Sequence, residues 1–146
     1  MLSMKVMIIK QAIYSNTSMP VLTKGLDAYA LRDKATANNL ANVNTPKYKK
    51  IKVDFEVELS KSLDKNRLRG VRTDREHLSV GRKEISEVKP RASRSYDVTT
   101  PGEINNVDID MEMAQMAENQ LSFSYATSMI KNLMDSIKAS IRSRSF

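Results

Sequence analysis

His77 is the only histidine in the chain, and there is no cysteine. An imidazole that moves protons or holds a metal needs a carboxylate, a nucleophile or further ligands at defined spacing. Its neighbours Glu76 and Leu78 supply none of these, so His77 reads as a surface or packing residue. Asp108, Asp110 and Glu112 begin like a calcium loop. That loop also requires Gly at its sixth position and Glu at its twelfth, where this chain has Met113 and Asn119. The three acids fit better in the first turns of a helix, where the positive end of the dipole favours them. The four glycines are isolated from one another, which leaves no phosphate-cradling loop. Lys47, Lys49, Lys50 and Lys52 with Tyr48 between them form the best patch for nucleic acid. Asp54, Glu56 and Glu58 follow at once, however, and no groove-reading helix motif accompanies them. Neither an enzyme nor a cofactor, metal or small-molecule site is expected.

Composition narrows the class. The 146 residues suffice for one small domain with extensions. Aromatics are scarce, Trp is absent and Met is abundant at nine, which favours adaptable helix contacts over a large rigid core. The net charge of +7 lies wholly in residues 47–94, which hold 15 Lys/Arg against 8 Asp/Glu. It admits anionic partners without demanding them. Val6 to Ile9 are too few apolar residues for a signal-peptide core or a membrane span. Residues 1–19 are expected to be a disordered extension, with Met4 and Met19 as alternative starts.

The elements that carry function are therefore sought in apolar spacing. From Asn106 to Ile141 there is no Pro or Gly. Ile109, Met113, Met116, Gln120, Phe123, Thr127, Ile130, Met134, Ile137 and Ile141 recur at alternating intervals of four and three. That 3.5-residue repeat marks a coiled-coil seam. A second row, Ala114, Ala117, Leu121, Ala126, Met129 and Leu133, widens the stripe. The helix would be roughly 50 Å long, too long to be covered by a domain of its own size. Pro20 opens an N-terminal helix, with Leu22, Leu26, Tyr29, Asp33, Thr36, Leu40 and Val43 at the same intervals. Asn38, Asn39, Asn42 and Asn44 followed by Thr45-Pro46 end it. Tyr48 to Leu59 alternates in part and reads as extended. Gly70 to Gly81 could form a small hairpin, and Lys89 to Glu103 reads as a loop or disordered linker. Asn105 or Asn106 is placed to cap the long helix.

The expected fold is mainly α. N- and C-terminal helices pair as an antiparallel, coiled-coil-like hairpin around a basic, partly extended/β or disordered middle. The segments are 1–19, 20–46, 47–104 and 105–146. The longer C-terminal helix leaves part of its stripe unmatched, which points to an assembly surface. The candidate contact residues are Leu22, Leu26, Tyr29, Asn39, Leu40, Asn42, Asn44 and Pro46 on the first helix and its turn. On the second they are Met113, Met116, Gln120, Phe123, Ile130, Met134, Ile137 and Ile141. Gln120 and Thr127 could specify register in an otherwise apolar seam.

Ala37-Asn38-Asn39-Leu40-Ala41-Asn42-Val43-Asn44-Thr45-Pro46-Lys47-Tyr48 resembles the N-terminal signature of bacterial flagellar rod and hook proteins, usually Asn-Ile-Ala-Asn and then Thr-Pro-Gly-Tyr. Val53-Asp54-Phe55-Glu56, Thr73-Asp74-Arg75-Glu76-His77-Leu78, and Asn105-Asn106-Val107-Asp108 running on to Leu121 look like the corresponding segments of the proximal rod family. The short length favours the proximal members over the longer distal rod and hook relatives. Lys47 departs from the usual Gly, and a turn that needs positive φ would be strained there, so a different local turn is expected. The N-terminal extension is also longer than usual. The resemblance implies a structural, non-enzymatic subunit. It would be exported through the flagellar type III apparatus without signal cleavage and would polymerise into the periplasmic rod of the basal body, near the membrane but not inserted in it. The implied partners are other rod subunits and further copies of itself, with the MS ring, the export gate and the FliE adaptor nearby. From the residues alone, a basic helical nucleic-acid-binding protein and a helical export chaperone or adaptor remain as competing readings.

Overall fold

The computed structural model describes residues 17–64, 84–95 and 105–143. Residues 1–16 of the N-terminal extension, the Gly70–Gly81 hairpin with His77, and residues 96–104 lie outside these, whereas Met19, expected in the disordered extension, is the buried first residue of the first helix. Helix α1 spans Met19–Ala41 with Pro in its first turn, as the sequence predicts. Strand β1 follows (Ile51–Asp54), then helix α2 (Glu56–Leu63), a single 3-10 turn (Ile85–Glu87), strand β2 (Arg91–Arg94) and the 35-residue helix α3 (Ile109–Ser143).

Helices α1 and α3 pack antiparallel: Asn39, near the end of α1, bonds Glu112 in the first turn of α3, and Tyr29 meets Asn119. The expected hairpin is present. Its middle differs from expectation at two places. Phe55, Val57 and Leu59 are not an alternating strand. Phe55 and Leu59 are four apart on a helical period and pack against Ala28 and Val88, while Val57 is 63% exposed. Glu56 and Glu58 in the first turn of α2 and Lys61 in its last suit the helix dipole. Arg91–Arg94, expected in a loop, forms β2, antiparallel to β1 with Ile51 opposite Arg94 and Asp54 opposite Arg91. All four β2 residues are exposed, so no apolar alternation announces the strand. Backbone pairing to β1 holds it instead.

Lys47 adopts φ 63°. Pro46 and Lys47 occupy the two central positions of a turn closed by the Tyr48 amide donating to the Thr45 carbonyl at 3.3 Å. Pro followed by a left-handed residue is the arrangement of a type II turn, whose third position favours Gly. The turn expected to differ is therefore kept, with Lys strained in it. Lys47→Gly is expected to raise the unfolding free energy by about 0.5–1 kcal/mol, the relief of strain exceeding the extra freedom Gly gives the unfolded chain. A urea midpoint that stays or falls would contradict this.

Candidate assembly interface

Three asparagines wire the hairpin together. In the antiparallel ladder, Ser95 donates to the Lys50 carbonyl at 2.8 Å, which turns the N–H and C=O of Ile51 toward the open edge of β1. Asn39 fills that edge. Its Oδ1 accepts from the Ile51 amide at 2.8 Å, and its Nδ2 donates to the Ile51 carbonyl at 2.9 Å. The same Nδ2 donates to Glu112 Oε2 at 3.0 Å, and Oδ1 also accepts from the Tyr48 hydroxyl at 3.1 Å. One buried amide thus joins α1, β1 and α3. Asn106 completes the end of the ladder: its Oδ1 accepts from the Lys50 amide and its Nδ2 donates to the Ser95 carbonyl. Asn105 Nδ2 reaches the carbonyls of Asn42, Val43 and Thr45, satisfying groups freed where α1 ends. Neither Asn105 nor Asn106 caps α3. Asp108 does, its Oδ1 accepting from the amides of Asp110 and Met111.

Glu112 corrects the expectation of a simple first-turn acid. It is 2% exposed, held by Asn39, with the Lys50 ammonium 3.9 Å away. Lys50 is thereby directed inward rather than toward an external anion. Burial raises the pKa of the nearby Tyr48 hydroxyl; the Arg94 guanidinium pulls it down, and the Glu112 carboxylate adds to the rise. The net increase keeps Tyr48 a neutral donor to Asn39.

The face of α3 turned toward α1 is Glu112, Gln115, Asn119, Ser122 and Ala126, at intervals of three and four. Glu112, Asn119 and Ala126 are buried and the other two half-buried. From Glu112 to Ala126 the intrachain seam is therefore polar and small, not the apolar stripe; farther along the helix Ile130, Leu133 and Ile137 are half-buried. Of that stripe, Met113, Met116, Phe123, Met134 and Ile141 stand 58%, 43%, 40%, 44% and 66% exposed, so the free surface is far larger than the overhang alone. Ile130 and Ile137 are half-buried, whereas Gln120 is exposed, as is Thr127, whose hydroxyl bonds the Phe123 carbonyl of its own helix. On α1, Leu22, Leu26, Tyr29 and Leu40 are half-buried and Asn39 is buried. Asn42, half-buried, braces the turn through Asn38 and Thr45, and Asn44 and Pro46 are exposed. Sequence reasoning missed Glu112, Asn119 and Asn106 as joint residues. The signal was the three-and-four spacing from Glu112 to Ala126, masked because its members are polar or small.

Among the described residues no cluster of three metal-ligating side chains occurs, and no helix is long and apolar enough to cross a membrane. Residues 19–49 match the family model described as "Flagella basal body rod protein". These residues cover α1, with Asn39 of the joint, and the Lys47 turn. The chain is 36% identical over 117 residues to the flagellar basal body rod protein FlgB of Borreliella burgdorferi, covering 77% of this chain and 86% of that protein. It is 34% identical over 130 residues to FlgB of Borrelia hermsii (86% and 96%), and 28% identical over 123 residues to FlgB of Bacillus subtilis (80% and 87%). With two such relatives spanned over most of their length, the chain belongs to the family of flagellar basal body rod proteins, among its FlgB members.

Proposed function

We propose that this structural rod subunit polymerises through the apolar stripe of α3, from Met113 to Ile141, with α1 packed on the adjacent polar face. The observation that carries the reading is the division of α3. Its buried residues are Glu112, Asn119 and Ala126, while Met113, Met116, Phe123, Met134 and Ile141 remain exposed. Contiguous exposed apolar surface of this kind is costly in water and serves contacts between chains. The partners are other rod subunits and further copies of this chain, with the MS ring, the export gate and the FliE adaptor as neighbours at the base. The subunit reaches the periplasmic rod by the flagellar export route without cleavage of a signal peptide, as its resemblance to the rod family implies. The competing readings as a nucleic-acid binder or an export chaperone gain no support from the relatives.

Amide hydrogen exchange in the free chain and in the assembled rod tests this. Amides of α3 beyond Asn119 and of the first half of α1 are expected to slow by about tenfold or more on assembly. Unchanged exchange along α3 would overturn the proposal.

A further inference from the structure

Helix α3 carries a second uncovered row. Leu121 and Tyr125 stand 73% and 69% exposed, the highest values for large apolar side chains among the described residues, and Met129, one turn on, is exposed as well. At 3.6 residues per turn these three lie about 160–180° around the helix from Met116, Phe123 and Met134. On the side toward α1 the buried seam of Glu112, Asn119 and Ala126 divides the two rows. On the far side the exposed Ala117, Ser124 and Ser128 divide them. Leu121 and Met129 therefore do not widen the stripe, as their spacing suggests. They belong to a second apolar flank of the same helix. Aromatic residues are only 5% of the chain, yet Phe123 and Tyr125 both stand exposed on opposite sides of α3. Aromatic side chains so placed are the usual anchors of contacts between chains.

The two flanks are of similar size. The exposed parts of Leu121, Tyr125 and Met129 come to on the order of 350 Å² of surface, and those of Met113, Met116, Phe123 and Met134 to much the same. If the stripe met the stripe of another copy, the contact would be two-fold and would close. Each chain would then bury one flank, less than half of the ~800 Å² per partner of a stable interface, and Leu121 and Tyr125 would stay in water. If the stripe of one copy meets the second flank of the next, every copy is covered on both sides. That buries on the order of 700 Å² of α3 in each chain, close to the standard size. The contact joins unlike surfaces, so it repeats from copy to copy. The α3 helices then stand side by side in a row. The α1 helices form a second layer along the seam, and the small polar face of Ser124 and Ser128 is turned away from them.

We propose that the flank of Leu121, Tyr125 and Met129 is a second docking surface, and that its occupant is the stripe of a second copy of this chain, with Met116 and Phe123 at the contact. This rests on the reading of the chain as a subunit that polymerises through the stripe, and it adds what the stripe meets.

Leu121→Asp combined with Tyr125→Asp tests it in cells whose own copy of the gene is replaced. The swimming rate is expected to fall at least tenfold, while the urea midpoint of the purified chain hardly moves, since both side chains already stand in water. Full swimming overturns the proposal. Because the chain has no cysteine, disulfides identify the occupant. One chain carries Met116→Cys or Phe123→Cys, a second carries Leu121→Cys, Tyr125→Cys or Met129→Cys, and the two are produced in the same cells and oxidised. A disulfide joining the unlike chains is expected in at least one pairing. Stripe cysteines that join only to each other, or second-flank cysteines that join to neither stripe position, overturn the proposal. Met116→Asp combined with Phe123→Asp, run in parallel, separates the two readings. If it abolishes swimming while the Leu121, Tyr125 variant swims, the second flank is wrong and the stripe stands. If the stripe variant swims, the stripe is wrong and the proposal falls with it.

Discussion

Asn39→Ala is expected to lower the unfolding free energy of the free chain by about 3–4 kcal/mol, a large part of the total for a small domain. The substitution removes little apolar surface, so the effect is one of unsatisfied polar groups. Asn39 makes four hydrogen bonds, to both backbone groups of Ile51, to the Tyr48 hydroxyl and to Glu112. Alanine leaves the Ile51 amide and carbonyl facing a gap. It leaves the 2%-exposed Glu112 carboxylate with only the Lys50 ammonium at 3.9 Å. Each such group costs about 1–3 kcal/mol unmet, less whatever entering water recovers. Asn39→Asp tests the cause. It keeps an acceptor for Ile51 and Tyr48 but loses the donor and sets a second carboxylate against Glu112, so its effect is at least as large. Urea unfolding followed by far-UV circular dichroism measures both. A loss below about 1 kcal/mol for Asn39→Ala would show that the joint is not what fixes α1 against α3.

The helices were legible because the physics that forms them is local and repetitive. Pro20 fixes the start of α1, the asparagines and Thr45-Pro46 fix its end, and 35 residues without Pro or Gly carry α3. The seam was legible as a stripe but not as to which surface it meets. Apolar spacing says that Met113, Met116 and Phe123 share a face. It does not say that a neighbouring polar face, Glu112 to Ala126, is the one bound inside the chain. That choice depends on Asn39 and Ile51, 73 and 61 positions before Glu112 in the chain, and no local pattern encodes such pairing. Strand β2 was hidden for the opposite reason. Its side chains are all exposed, so it rests on backbone hydrogen bonds to β1 that leave no mark in residue type. Asn105 and Asn106 show how residue type underdetermines role. Both suit a helix cap, yet the cap is Asp108, and their amides serve the end of α1 and the end of the ladder.

The joint leaves the apolar stripe free, and the expected consequence is a variant that folds and does not assemble. Met116→Asp combined with Phe123→Asp should abolish swimming while leaving the circular dichroism spectrum and urea midpoint of the free chain nearly unchanged. The two side chains are 43% and 40% exposed, so in the free chain the new carboxylates stay in water, and surface changes of this kind move stability by about 0.5 kcal/mol. Between subunits the balance differs. Two large apolar side chains lose the burial of their remaining exposed surface, about 1 kcal/mol each. Two unpaired carboxylates must also lose water, at a further cost of a few kcal/mol. A total of about 5 kcal/mol lowers an association constant more than a thousandfold. Asp at Ile130 or Ile137 would be less informative, because those residues are half-buried in the free chain and the fold would suffer as well. Ser124→Asp, on an exposed polar position of the same helix, controls for the modest helix-forming penalty of aspartate. Swimming by the double variant, or its loss equally in Ser124→Asp, would mean that rod contacts form elsewhere, and the uncovered stripe of α3 would need another occupant.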